Sequence, residues 1–160
     1  MMNRSSKNES GFTLIEFLVV IAISAILLAL LTLNLGKVQE TSSVTSSADT
    51  LMNDIKSQQI MAMAGDKGSA SSQQPQGLHI QSNSYVLYAG SSYNSGDTNN
   101  FTINISPYTI STTFPSSNLL FQKGDGMVSG FTAGSNTITI TRYGSSKTIT
   151  VDKYGALSVN

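Results

Sequence analysis

No cysteine occurs anywhere in the chain, which removes disulfide staples, thiol nucleophiles and thiolate metal ligands together. Histidine occurs once, at His79, and no closely spaced Asp or Glu cluster surrounds it. Neither an imidazole metal site nor a serine–histidine relay therefore has its second half, although serines are abundant. His79 is expected to be a surface or half-buried strand residue. Asp125, between Gly124 and Gly126, offers one carboxylate where calcium takes six to eight oxygens, so it is expected to be a turn residue. Charge is scarce and balanced, with nine Lys plus Arg against nine Asp plus Glu, and no field of one sign points to nucleic acid as a partner. Proline does not occur before Pro75, so nothing in the first half obliges a helix to break. With these sites lacking, an enzyme is not expected, nor is a cofactor.

What the chain does contain is a single long apolar run. Phe17, Leu18, Val19, Val20, Ile21, Ala22, Ile23, Ser24, Ala25, Ile26, Leu27, Leu28, Ala29, Leu30 and Leu31 follow one another without a charge, and the uncharged stretch continues to Gly36. As a helix, the stretch from Phe17 to Gly36 would be about 30 Å long, the thickness of a bilayer's hydrocarbon core. No second run of comparable length follows, so the expectation is one membrane anchor and one exported part. Arg4 and Lys7 precede the run, which by the positive-inside tendency leaves the amino end in the cytoplasm.

Glu16 stands flush against this run, and an ionisable group at that depth calls for a partner. Cutting the chain after Gly11 would place a new amino group on Phe12, opposite in charge to Glu16. A secretory signal would instead carry its small-residue cleavage site after the apolar run, and none of that type follows Leu31.

The segment Gly11-Phe12-Thr13-Leu14-Ile15-Glu16, with its short basic leader and apolar helix, resembles the type IV pilin and pseudopilin superfamily. The resemblance implies that a prepilin peptidase cuts between Gly11 and Phe12 and methylates the Phe12 amine. It further implies that Glu16 answers the Phe12 amine of a neighbouring subunit during assembly. The implied partners are other pilins or pseudopilins in a filament, the inner-membrane assembly platform and membrane lipid. The implied location is the inner membrane, crossed once, and the filament after assembly. Loss of Arg4, Lys7 and Glu9 with the leader would leave seven basic and eight acidic side chains. Where many members have proline this chain has Leu33, which makes Gly36 the next candidate for a flexible point.

Beyond the run, Val44, Ala48, Leu51, Ile55 and Ala62 recur on one helical face, with Met52, Gln59 and Met63 beside it, predicting an amphipathic helix over about 38–64. Gly65 is placed as its C-cap. After a polar loop the period changes to two. A hairpin is expected from Leu78 and Ile80 to Tyr85–Tyr88, then a strand at Phe101–Ile105 broken by Pro107 and another at Tyr108–Phe114. A short buried segment follows at Leu119–Phe121, and then strands at Thr137–Tyr143, Lys147–Asp152 and Ala156–Val159. Ile138, Ile140, Ile149, Val151, Leu157 and Val159 are expected to face the helix. The fold class is α+β, a long N-terminal helix packed on an antiparallel β-sheet domain. Its parts are a leader at 1–11, an assembly helix at 12–36, an amphipathic helix at 37–65 and a β-rich domain at 66–160.

Phe121, Gly124, the two strands from Thr137 and Lys147, and Tyr154-Gly155-Ala156-Leu157 also resemble the closing hairpin of the H-type pseudopilin and the related minor pilin. The function expected is a structural subunit of a type II secretion pseudopilus or a type IV pilus. The alternative is a solitary anchored adhesin, using the loop Ala89–Asn100, or a DNA-binding minor pilin. For the latter, Arg142, Lys147 and Lys153 supply few phosphate contacts.

Overall fold

A computed structural model describes residues 13–66 and 72–160, the side chains of 31–40 excepted. It has one long helix, α1 (Leu14–Ala64), and eight strands: β1 (Gln76–Ile80), β2 (Ser84–Ala89), β3 (Phe101–Asn104), β4 (Thr109–Thr112), β5 (Asn118–Phe121), β6 (Thr137–Arg142), β7 (Ser145–Val151) and β8 (Leu157–Val159). A 3-10 turn, Pro115–Ser117, precedes β5. The class is α+β, as the periodicity predicts. The chain divides into two compact units, 1–39 and 40–160.

In the second unit, the helical stripe read from the sequence is the stripe that is buried. Val44, Ala48, Leu51, Ile55 and Ala62 lie in one core with Leu78, Ile80, Tyr85, Leu119 and Phe121 of one sheet and Ile110, Ile138, Ile140, Ile149 and Val151 of the other. Each fully buried Leu or Ile contributes about 1.5–3 kcal/mol of apolar transfer. The 4-3-4 spacing of the stripe also passes through Gln58, which is buried with its Oε1 unpartnered. Helix α1 ends in a Schellman arrangement: Gly65 has φ 72°, and the Asp66 N–H donates to the Met61 carbonyl at 2.9 Å. The positive φ is the reason glycine stands there.

The strands form two four-stranded antiparallel sheets, in the orders β3-β2-β1-β5 and β4-β6-β7-β8, an order that the sequence reading leaves open. The chain changes sheets three times, between β3 and β4, between β4 and β5, and between β5 and β6. The sheets meet at the β1–β2 turn, where Ile110 N–H donates to the Ser82 carbonyl at 2.8 Å. The segment Leu119–Phe121 is a full strand, paired with β1 in the register Leu78↔Leu119. Leu119 and Phe121 are buried, and Leu120, on the opposite face, is half-buried. Val159 does not reach the core. It pairs with Ile149, but on the edge strand β8, and is 37% exposed.

The β6–β7 turn also differs from the expected Gly144–Ser146 loop. Arg142 pairs directly with Ser145, leaving Tyr143 (φ 48°) and Gly144 (φ 84°) as a two-residue turn. Two positive φ values are what a type I′ hairpin needs to match strand twist. A tyrosine in the first position hides that signal in the sequence.

Tyr85 and Tyr88 point to opposite faces of the first sheet. Tyr85 donates to the Asp54 carboxylate at 2.5 Å, and burial first, then that neighbouring carboxylate, push its phenol far above the ordinary value. Burial pushes Tyr88 up to about 12. Folded pKa values above the unfolded value of about 10 mean that the folded state keeps protons the unfolded chain gives up. The stability they carry is full below about pH 10 and is lost as pH rises beyond it. Thermal melts taken from about pH 8 to 11 should show the midpoint falling at the alkaline end. Tyr88→Phe should flatten that fall, and an equally steep fall in Tyr88→Phe would show that the phenol is not its source.

Candidate functional site

The first described residue, Thr13, is the N-cap of α1. Its Oγ1 accepts from the Glu16 backbone N–H at 3.3 Å, and Glu16 Oε2 accepts from both the Thr13 N–H and the Thr13 hydroxyl at 2.9 Å. The Phe17 N–H donates to the Thr13 carbonyl at 3.2 Å, closing the first turn. This is a reciprocal capping box, in which a threonine and a glutamate three residues on satisfy each other's orphan donors. The sequence reading gives Glu16 an intermolecular role and misses this local one, although Thr-x-x-Glu before an apolar run is its usual signature. Both bonds fall on Oε2. Among the described residues no hydrogen bond falls on Oε1.

Past the cap, residues 14–30 are exposed on every side. Leu14 is 79% exposed, and Phe17, Ile26 and Leu28 exceed 60%. A helix apolar all round is stable only when lipid or other helices surround it. Among the described residues no helix is long and apolar enough to cross a membrane. The run read from the sequence extends through Leu31 to Gly36, whose side chains lie outside the described residues. Gly11 and Phe12, the expected processing residues, also lie outside them.

The other residues singled out in the sequence fall into two places. His79 sits half-buried on β1, with Nδ1 2.8 Å from Asn118 Oδ1 and its ring stacked on Tyr93 at 4.0 Å between centroids. Tyr93 comes from the loop considered for adhesion, and it also meets the edge of Tyr88. The Tyr88 ring in turn covers Gly77, where an added Cβ would lie 2.8 Å from the Tyr88 ring carbon Cζ. Asp125 caps its turn by accepting from Met127 N–H at 2.9 Å. Within the second unit, His79 and Asp125 thus have separate partners. Among the described residues no three His, Cys, Asp or Glu side chains gather where they could hold a metal ion.

Compared with known proteins, residues 6–32 match a family model described as the prokaryotic N-terminal methylation motif. That motif is the hallmark of type IV pilins and pseudopilins, and this chain carries it. No curated protein and no solved structure matches the chain.

Proposed function

We propose that the chain is a prepilin-type structural subunit, cut between Gly11 and Phe12, methylated on the Phe12 amine and assembled with other pilins or pseudopilins through its N-terminal helix. One observation carries this reading: the methylation motif at 6–32 takes in a helical stretch whose large apolar side chains are exposed and need other helices or lipid around them. A catalytic role draws no support from the side chains described above. The work is assembly, with the inner membrane holding the subunit before it enters the filament and prepilin peptidase and the assembly platform as its partners.

Within that class, a minor subunit of a type II secretion pseudopilus or a type IV pilus suits the chain best. The support is the closing region that resembles the H-type pseudopilin. There Gly155 N–H donates to the Asp152 carbonyl at 3.0 Å, Val128 N–H donates to the Lys153 carbonyl at 3.0 Å, and Gly124 N–H reaches the Ala62 carbonyl of α1 at 2.9 Å. These loops are knitted to the end of the helix, as a head domain carried on a shaft requires.

Processing gives the direct test. Mass spectrometry of membranes from cells with a prepilin peptidase should find the wild-type chain beginning at Phe12 with one added methyl group. Gly11→Leu should remain at precursor mass, because only a residue without a side chain lets the peptidase close on the backbone there. A wild-type chain starting elsewhere, or a Gly11→Leu chain still cut before Phe12, would remove the proposal.

A further inference from the structure

Arg142 is the basic side chain whose surroundings are the most built. Its guanidinium carbon lies 5.0 Å from the centre of the Tyr108 ring and 4.8 Å from that of Tyr143. Nη1 donates to the Tyr108 hydroxyl at 3.3 Å. The side chains of Ser47 and Ser43, one turn apart on α1, hydrogen-bond the same tyrosine oxygen. Two aromatic rings and a helix therefore fix a side chain that would otherwise have many rotamers.

The cation is nevertheless unanswered. Among the described residues no carboxylate forms an ion pair with Arg142, and its Nε is buried without an acceptor. Aromatic faces hold a guanidinium without neutralising it. The neutral phenols of Tyr143 and Tyr108 take up part of the guanidinium's donors, and the N–H groups that remain suit the oxygens of a phosphate. A fixed, weakly hydrated, unpaired guanidinium is prepared for an oxyanion that the chain itself does not provide.

The position of Ser43 in the chain says where that oxyanion comes from. Ser43 lies eight residues after Leu35, the last apolar residue of the uncharged run. Even a fully extended chain of that length spans at most about 29 Å, so a run held in lipid tethers the Arg142 cluster close to the membrane surface. We infer that Arg142, with Tyr108 and Tyr143, is a docking site for the phosphate of an anionic membrane lipid, engaged while the subunit waits in the bilayer. The inference rests on the membrane-anchored reading above. Inside a filament the site would be released, so docking would hold the head domain down before assembly only.

The chain contains no tryptophan, so Tyr143→Trp installs a single indole at the site and keeps an aromatic face over Arg142. The full chain carrying it is reconstituted in vesicles of phosphatidylcholine with or without phosphatidylglycerol, each with a dansyl label on a headgroup, and energy transfer from the indole is read. Transfer should be stronger with phosphatidylglycerol. Adding Arg142→Gln should reduce the docked-to-free ratio roughly fivefold, the worth of one basic side chain at an anionic surface, while Arg142→Lys should keep part of it. Inorganic phosphate should compete better than chloride at equal ionic strength, whereas equal competition would leave only diffuse charge and overturn the site. Transfer indifferent to lipid charge, or unchanged by Arg142→Gln in a chain with wild-type circular dichroism, would overturn it too. Flotation of the same vesicles separates the two readings. A chain that does not float defeats anchoring and docking together; one that floats without charge-dependent transfer defeats docking alone.

Discussion

Glu16→Leu is expected to leave cleavage before Phe12 and membrane insertion intact and to remove the subunit from the filament. In an apolar setting, the methylated amine of one subunit and the carboxylate of another each need the other, because removing one partner strands a charge at about 3–5 kcal/mol. At 1.4 kcal/mol per factor of ten, incorporation should fall by roughly two to four orders of magnitude. Glu16→Leu also removes the carboxylate that accepts from the Thr13 N–H and hydroxyl, a local loss on the order of 1 kcal/mol, while the bond from the backbone N–H of residue 16 to Thr13 Oγ1 stays. Glu16→Gln separates the two effects. Glutamine serves at this position of a capping box as glutamate does but carries no charge. If the charge pair governs assembly, mature Glu16→Gln should be as scarce in sheared filaments as Glu16→Leu. Filaments that accept Glu16→Gln and reject Glu16→Leu would assign Glu16 to the helix end alone, and filaments that accept both would end the assembly role.

Local periodicity makes much of the head domain legible in the amino-acid sequence. The buried stripe of α1 is readable because Val44, Ala48, Leu51 and Ile55 repeat at helical spacing, and the helix end because Gly65 has no other reason to be there. Gln58 sits in the same stripe but escapes notice, since polarity is the cue that removes a residue from a core prediction. The division into two sheets is hidden for a different reason. Thr109 pairs with Thr141 and Ile110 with Ile140, across some thirty residues, and no short window records a choice between β3 and β6 as neighbour. At the N-terminus the opposite holds. Gly11, Phe12 and Glu16 stand out as a pattern, while Thr13, which holds the Glu16 carboxylate, belongs to a capping signature that the more specific pattern overshadows. In the sequence Arg142 is only one of three dispersed cations. Its rings come from Tyr108 and Tyr143, and the partnership with Tyr108 exists only once β4 lies beside β6.

The closing region offers the sharpest test of the head domain, because there one side chain does what the strand pattern could not announce. Gln59 Nε2 donates to the Gly126 carbonyl at 3.1 Å and to the Tyr154 carbonyl at 2.7 Å, fastening two loops to the helix. Gly155 makes room for it: an added Cβ would collide with Nε2 and lie 2.7 Å from Gln59 Cδ, and φ is 79°. Gly134 has a similar φ of 85° with nothing within 4 Å of an added Cβ, so it isolates the backbone effect. Gly134→Ala should therefore cost about 1–2 kcal/mol, the left-handed penalty alone. Gly155→Ala should cost that and more. The long Gln59 side chain can swing aside, so the extra loss is its two hydrogen bonds, each worth about 0.5–1.5 kcal/mol, giving about 2–5 kcal/mol in all. The decisive comparison is Gly155→Ala in a Gln59→Ala background. With the amide already gone, the added methyl has nothing to displace, and its effect should shrink to that of Gly134→Ala. Denaturant unfolding of the four proteins, followed by tyrosine circular dichroism, supplies the cycle. A Gly155→Ala loss that is the same with and without Gln59 would mean that the two residues act independently and that the glycine answers to its backbone alone.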